Sequence, residues 1–214
     1  MSKSIQHLYR VFSKYEKPDD FPACKCCISE EAKVVLLSRK LEDLNESELS
    51  EYAADVFLTV GTLRDFRYFL PRILELSVGE AFLWPYPQIV LRKLRLAGWA
   101  EWPEDERTAV LEVLQDKFEA LILSSNAHGQ DINQWLCAIG QFVDDLNPYL
   151  DQILQADDER LSEIVEWNLS AFTKGELGSS FWEPGSTNER RFLAWLNQQP
   201  RIKAILSDRY GMQL

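Results

Sequence analysis

Three of the four cysteines in this 214-residue chain lie within four positions of one another, as Cys24-Lys-Cys26-Cys27. Cys24 and Cys27 have the C-x₂-C spacing of a metal-binding knuckle, and Cys26 adds a third thiol. A structural zinc site needs four ligands, so a fourth must come from elsewhere, and the candidates are His7, His128 and Cys137. None of these has the spacing of a metal motif. The alternative interpretation is a loop whose small thiols pack beneath the first helix.

The sequence contains none of the short motifs that mark the common catalytic classes. It has no P-loop, no G-x-S-x-G, no G-x-G-x-x-G and no H-E-x-x-H. A thioredoxin-like redox site requires a C-x₂-C that follows a strand, and no strand is predicted here. The 34 acidic residues make carboxylate pairs too common to indicate a hydrolase. We therefore expect a protein that is not an enzyme and needs no cofactor. The alternative is an enzyme with an unfamiliar site in the loop that holds Cys24, Cys26 and Cys27, called the cysteine loop.

The elements that must position these groups are helices, and the clearest prediction is a helix pair over residues 46–78. Apolar residues at i, i+4 and i+8 predict a first helix from Glu46 to Val60. Asn45 or Ser47 can cap its start, because a short polar side chain accepts from a free N–H of the first turn. Gly61 can end it in the left-handed conformation.

The second helix of the pair begins at Thr62, where the spacing to Asp65 resembles a capping box. Pro71 lies inside this helix and predicts a kink or a fresh start, because proline lacks the N–H that a helix interior uses. Charged residues are interleaved with its apolar surface. We expect them to form a solvated face, with a buried polar cluster as the alternative, and they are Arg64, Asp65, Arg67, Arg72 and Glu75.

Apolar residues recur at helical spacing through the rest of the chain. The pattern predicts a helix over residues 3–15, a short helix after Ser29, and helices that begin near Pro87, Pro103, Asp131, Asn188 and Pro200. The predicted fold class is all-α, with about ten helices as irregular HEAT-like helical hairpins or a helical bundle. We expect a single domain over residues 1–214, with an N-terminal part over residues 1–80 that holds the cysteine loop and the helix pair.

Charge indicates the kind of partner. The formal net charge of −11 and the pI of about 4.7 predict repulsion from nucleic-acid phosphates and attraction to basic proteins. Acidic groups at helix starts also have a structural interpretation, which is capping and solvation. Aromatic residues Trp99, Trp102 and Trp182 in loops beside acids suit either an interface or a loop folded onto the core. The predicted partner contacts are Glu101, Trp102, Glu104, Asp105, Glu106, Asp144, Asp145, Asp157, Asp158 and Glu159.

Membrane and export signals are not found in the sequence. No apolar run approaches the roughly 20 residues that span a bilayer. The first seven residues lack the apolar region of a signal peptide. We therefore expect a soluble, cytoplasmic protein with reduced thiols and with neither a membrane nor a nucleic-acid partner.

Several short patterns in the first 80 residues resemble a family of uncharacterised bacterial helical proteins encoded beside polymorphic toxins, including Rhs-type toxins. The rest of the chain resembles that family loosely, and Lys25 stands where the family pattern often has a proline inside the cysteine cluster. The patterns are Leu8-Tyr-x-x-Phe12, Pro22-x-Cys-x-Cys-Cys27, Tyr52, Thr59-x-Gly61 and Asp65-Phe-Arg-Tyr-Phe-Leu-Pro-Arg-Ile-Leu-Glu75.

The resemblance implies an immunity protein, a cytoplasmic partner that neutralises a cognate antibacterial toxin domain by occluding its active site. An acidic helical chain suits that role, since acidic patches on inhibitors complement basic active-site clefts. One alternative is a helical-repeat scaffold or adaptor that binds a host protein. Another is a metal-binding module at Cys24, Cys26 and Cys27.

Overall fold

The computed structural model describes residues 1–212, which form twelve α-helices and no β-strand, so the all-α prediction is confirmed. No helix in this part of the chain is both long and apolar enough to cross a membrane. The helices are α1 (Lys3–Phe12), α2 (Glu30–Ser38), α3 (Glu46–Asp55), α4 (Leu63–Val78), α5 (Pro87–Leu96), α6 (Glu104–Leu123), α7 (Gly129–Gly140), α8 (Asn147–Ile153), α9 (Asp158–Trp167), α10 (Leu169–Thr173), α11 (Thr187–Gln198) and α12 (Pro200–Tyr210).

The chain separates into two compact units, Met1–Asp116 and Lys117–Leu214, with the boundary inside α6. In the first unit α4 contacts α1, α3 and α5, and is therefore the helix around which that unit packs. In the second unit α7 packs on α9, α9 on α12, and α11 on α12. Two of these pairs, α7 with α9 and α9 with α12, join helices that are not consecutive in sequence, so the second unit is an irregular bundle. The prediction of a single domain over residues 1–214 stays a prediction.

Local capping explains where the central helices begin. Asn45 Oδ1 accepts from the Glu48 N–H at 3.1 Å, while Glu48 Oε2 accepts from the Asn45 N–H at 2.9 Å. At the start of α4, Asp65 Oδ2 accepts from both the N–H and the hydroxyl of Thr62, each at 2.8 Å. Both predicted starts are therefore present, because each side chain satisfies donors that the helix leaves free.

The end of α3 differs from the prediction. The helix stops at Asp55, five residues before Val60, and a turn follows in which Phe57 has a φ of 67°. Non-glycine residues seldom adopt this region. The Phe57 N–H donates to Val60 O at 3.0 Å and closes the turn. Val56 and Val60 are both buried, so the helical periodicity in the sequence reflects burial of these residues and not a continued helix.

Pro71 does not restart the second helix, since α4 runs without interruption from Leu63 to Val78. A proline inside a helix costs about 3 kcal/mol. The buried side chains of α4 offset this cost by packing in the centre of the unit, and they include Phe66, Phe69, Leu70, Ile73 and Leu74. Pro71 itself is buried with them.

An aromatic cluster fills the first unit between α3, α4 and the cysteine loop. The Tyr52 and Phe69 ring centroids are 4.7 Å apart, and Phe21 lies 5.4 Å from Tyr52 at a steep angle. Gly61 approaches this cluster with a φ of +68°, and a Cβ added there would lie 2.8 Å from the Tyr52 hydroxyl oxygen. The turn after α3 therefore requires glycine for its backbone and for the close approach.

Buried asparagines connect the helices of the second unit. Asn168 Nδ2 donates to Asn133 Oδ1 at 2.6 Å and to Ile164 O at 2.9 Å. Asn188 Nδ2 donates to two carbonyls near the end of α7, those of Gly140 and Val143. These amides have partners on both sides, so their burial is compensated.

Replacing Gly61 with alanine should lower the free energy of unfolding by more than a left-handed residue alone costs, which is about 1–2 kcal/mol. The added Cβ meets Tyr52, which is fully buried and cannot move without disturbing the aromatic cluster. The matched control is Gly98→Ala, at a φ of +71° where the nearest atom is a flexible Glu101 carboxylate oxygen at 3.3 Å. Urea unfolding followed by tryptophan fluorescence measures both. Equal losses for the two variants would contradict the close approach to Tyr52.

Candidate functional site

The three thiols of the cysteine loop, residues 22–28, converge on one another. The Sγ atoms of Cys24, Cys26 and Cys27 all lie within 4.8 Å of one another, and those of Cys26 and Cys27 are 3.6 Å apart. Hydrogen bonding with Cys26 lowers the pKa of Cys24, and the contacts with Cys24 and Cys27 raise the pKa of Cys26 to about 11. Three convergent thiols form a ligand set suited to a soft cation.

Backbone hydrogen bonds hold the cysteine loop against the turn that follows α3. The Cys24 N–H donates to Thr59 O at 2.9 Å, and the Gly61 N–H donates to Pro22 O at 2.7 Å. Inside the loop, the N–H groups of Cys27 and Ile28 donate to the Cys24 carbonyl at 3.0 and 3.2 Å and close a tight turn. These bonds fix the backbone from which the three thiols extend.

The proposed fourth ligands have other contacts. His7 Nδ1 lies 2.6 Å from Glu112 Oε2, and the described residues show a ligand group of three cysteines without His7. In the second unit, the backbone N–H of His128, and not its imidazole, donates to the Asp131 carboxylate at the start of α7. Cys137 is buried inside α7, where burial raises the pKa of its thiol to about 12. Cys24, Cys26 and Cys27 thus lie close together, but metal binding by them stays a prediction, and the part of the chain that the structure describes identifies no fourth ligand.

The ten residues predicted to contact a partner divide by exposure. Trp102 and Glu106 are buried, so the prediction that these two contact a partner is corrected. Trp99 and Trp182 are buried too, so these two tryptophans and Trp102 belong to the core. The other eight are exposed, and their partner contacts stay a prediction: Glu101, Glu104, Asp105, Asp144, Asp145, Asp157, Asp158 and Glu159.

Several of the exposed acids also stabilise the fold. Asp157 caps α9 by accepting from the Arg160 N–H at 2.8 Å. Ion pairs join Asp105 to Lys14, Asp145 to Arg191, and Asp158 to Arg201. Exposed pairs of this kind contribute at most about 1 kcal/mol each. The structural interpretation, capping and solvation, therefore applies to several of these acids, while attraction of a basic partner stays a prediction.

Glu106 is the centre of a buried polar network. Its side chain is 0% exposed, accepts a short hydrogen bond from the Tyr15 hydroxyl, and lies 2.8 Å from Lys14 Nζ. Arg67 completes the network, with Nε 3.7 Å from Glu106 Oε2 and Nη1 donating to the Tyr15 oxygen at 2.8 Å. The Arg67 guanidinium also lies over the Trp102 ring, 4.8 Å from its centroid. Three partners around one carboxylate, Lys14, Tyr15 and Arg67, explain how the charge is tolerated in the interior.

The charges of α4 accordingly do not form the solvated face expected from the sequence. Asp65 is buried in its capping box, and Arg67 belongs to the Glu106 network. Arg72 donates to Glu75 at 2.7 Å and to the carbonyl of Leu44 at 2.7 Å, with both charged side chains mostly buried. The alternative of a buried polar cluster describes most of these residues. Arg64 is the exception, since it is exposed.

A cavity of about 380 Å³ lies between α1 and α4, a volume that would suit a small ligand. Part of its polar lining makes internal contacts. Tyr9 donates to Glu75 at 2.7 Å, and burial followed by this bond raises the pKa of Tyr9. Lys17 donates to a backbone carbonyl. These two side chains therefore help to hold the cavity wall.

An exposed apolar loop joins α4 to α5, and sequence reasoning did not assign it a function. Leu83 is 93% exposed, Trp84 46% and Tyr86 50%. Pro85 and Pro87 restrict the backbone of this segment, because the proline ring fixes φ. The two prolines beside large apolar residues were the available signal, but such residues are more often buried in the core.

Lys93 is a buried lysine inside α5. Its Nζ donates at 3.0 Å to the carbonyl of Val56, the residue that directly follows α3. A cation at a helix C-terminus is favourable, and Asp55 nearby favours the charged form. Burial outweighs these effects and, together with the positive charge of Arg92, lowers the pKa of Lys93 to about 8. Lys93 is therefore a structural group that fixes the end of α3.

Comparison of the chain with protein-family models, with curated proteins and with solved structures found no match. The family resemblance of the first 80 residues therefore stays a prediction.

Replacing Glu106 with glutamine should lower the free energy of unfolding by about 3 kcal/mol, because Lys14 and Arg67 lose their buried counter-charge. The matched control is Glu104→Gln, two residues away and exposed, which should change stability by no more than about 0.5 kcal/mol. Urea unfolding of both variants provides the comparison. A loss as small as that of the control would show that Glu106 is not a structural residue.

Lys93 should make stability depend on pH. Its pKa is about 8 in the folded chain against 10.5 ordinarily, so between these values the unfolded chain binds more protons and stability rises with pH. We expect the stability of wild type relative to Lys93→Met to rise by about 2 kcal/mol from about pH 7.5 to about pH 9.5. Tyrosines and cysteines that titrate in the same pH range affect wild type and Lys93→Met alike, so their effects cancel when the two free energies of unfolding are subtracted. A difference that stays constant across that range would contradict the lowered pKa.

Proposed function

We propose that the chain is a non-enzymatic immunity protein, which binds a basic toxin domain and occludes its active site. The observation that carries this proposal is the exposed loop with Leu83, Trp84 and Tyr86, on a chain with a net charge of −11. Single exposed apolar residues are ordinary on protein surfaces. Three large exposed apolar residues within four positions, in a segment whose backbone is restricted by two prolines, favour a surface that another protein covers.

The residue types in the loop are those that contribute most to protein interfaces. Tryptophan and tyrosine are enriched among residues whose truncation strongly weakens binding. The two prolines reduce the conformational freedom that the loop loses when a partner binds, which favours affinity. The loop thus supplies apolar anchors, while the rest of the surface supplies charge.

The surplus of negative charge indicates a basic partner. In the same unit as the loop, Glu101 is exposed just before α6, and Glu104 and Asp105 are exposed at its start. Complementary charge accelerates association and excludes wrong partners more than it adds affinity. Toxin domains that act on nucleic acids present basic clefts, and an acidic inhibitor matches such a cleft in charge. The resemblance of the first 80 residues to proteins encoded beside toxins supports the same partner.

The test is capture of the tagged full chain from its native cells, with washes at low and high salt and mass spectrometry of what stays bound. We expect one stoichiometric basic domain. Expressed alone, that domain should arrest growth, and co-expression of the chain should restore it. A spread of unrelated partners would favour the scaffold interpretation, and a captured domain without toxicity would overturn the immunity function.

Two sets of variants separate the anchors from the charge, using the captured domain and surface plasmon resonance. Leu83→Ser with Trp84→Ser should weaken binding at least about 100-fold, mainly through a faster off-rate. Glu101→Lys with Glu104→Lys should instead slow the on-rate and flatten its salt dependence.

The control is Leu123→Ser, which removes a leucine that is also exposed, at 71%, outside the loop. It should leave both rates unchanged. Wild-type affinity in the Leu83 and Trp84 double variant would exclude the loop as the anchor, and an unchanged salt dependence in the charge-reversed variant would exclude Glu101 and Glu104 as contacts.

A further inference from the structure

We propose that Cys24, Cys26 and Cys27 form a site for one thiophilic cation of the Zn²⁺ class, with an open fourth position. This inference does not rest on the proposed function. It rests on three sulfur atoms that all lie within 4.8 Å of one another. In a tetrahedral zinc site with Zn–S bonds of about 2.3 Å, sulfur ligands are about 3.8 Å apart. The Cys26–Cys27 pair, at 3.6 Å, already has this separation.

Packing does not explain the cluster. Cysteine is among the residues most often buried, because the thiol behaves as a small apolar group. Here Cys26 is exposed and Cys24 and Cys27 are half-buried. The interpretation that the thiols pack beneath the first helix therefore does not hold for Cys26. The buried residues of this segment are its two apolar flanks, Phe21 and Ile28.

The loop is fixed at both ends, which lowers the entropy that a metal must overcome to gather its ligands. Phe21 packs in the aromatic cluster with Tyr52, and Ile28 is buried on the other side. Between these anchors, the Cys24 N–H binds Thr59 O at 2.9 Å. A short segment held in this way presents its thiols to solvent in one region of space, as a metal loop requires.

Binding of the cation exchanges protons for metal–sulfur bonds. Each thiol releases one proton as its sulfur donates an electron pair, so Zn²⁺ with three thiols gives a site of net charge −1 and three protons. No oxidant or reductant takes part. Three protein ligands leave one position of a tetrahedral ion for water or an external ligand. The Lys25 ammonium group, between the ligands in sequence, carries a charge of the opposite sign.

The experiment uses the full chain, reduced with a phosphine and freed of metal. Zn²⁺ is titrated in competition with a chromogenic chelator, and Co²⁺ is titrated as a spectroscopic probe. We expect one equivalent of metal per chain and an intense thiolate-to-cobalt charge-transfer band. Separate Ser replacements of Cys24, Cys26 and Cys27 should each weaken binding at least about tenfold and reduce that band.

Two controls keep the result specific. Cys137→Ser removes the one thiol outside the loop, and Lys25→Ala alters the loop without removing a thiol. Both should retain full stoichiometry, with circular dichroism showing that each variant is folded. Less than about 0.1 equivalent of bound Zn²⁺ on the reduced wild type would overturn the site. Loss of metal on Cys137→Ser in a folded chain, or full affinity in all three loop variants, would overturn the assignment of ligands. Toxin binding enters none of these measurements, so the site and the immunity function fail or stand separately.

Discussion

Two backbone hydrogen bonds tie the cysteine loop to the turn after α3, and much of the first unit depends on them. They run from Cys24 to Thr59 and from Gly61 to Pro22. The turn exists because α3 stops at Asp55, and the chain can make it because Gly61 adopts a left-handed conformation beside Tyr52. The same connection joins the backbone of the loop that carries the three thiols to the turn in which Gly61 approaches Tyr52.

Charge has two separate uses in this chain. Where a carboxylate is surrounded by partners, as Glu106 is by Lys14, Tyr15 and Arg67, it specifies how helices meet and is removed from solvent. Where acids stand at exposed helix starts, they cap helices and set the negative field that a basic partner would meet. Burial, and not position along the sequence, decides which use applies, since exposed Glu104 and buried Glu106 are two residues apart.

The sequence predicted what local rules determine. Asn45 and Thr62 begin helices because capping is a contact over three residues, and the fold class follows from apolar periodicity. The end of α3 was missed because Val56 and Val60 are buried in a turn, which periodicity alone cannot distinguish from a helix. Burial of Glu106 depends on Tyr15 and Arg67, which are distant in sequence. The spacing of acidic residues along the chain does not predict these contacts, so it did not predict the burial. Convergence of the thiols likewise depends on the hydrogen bond to Thr59.

The most direct measurement is residue-resolved amide hydrogen exchange of the full, reduced chain by NMR. If the cysteine loop and the turn after α3 are one rigid body, the Cys24 and Gly61 N–H groups should exchange slowly, at rates comparable with those in the interior of α4. Lys25, which is exposed in the same loop, is the internal reference for a freely exchanging amide. Slow exchange at both anchors would support the positioned thiols. Exchange as fast as that of Lys25 would contradict them.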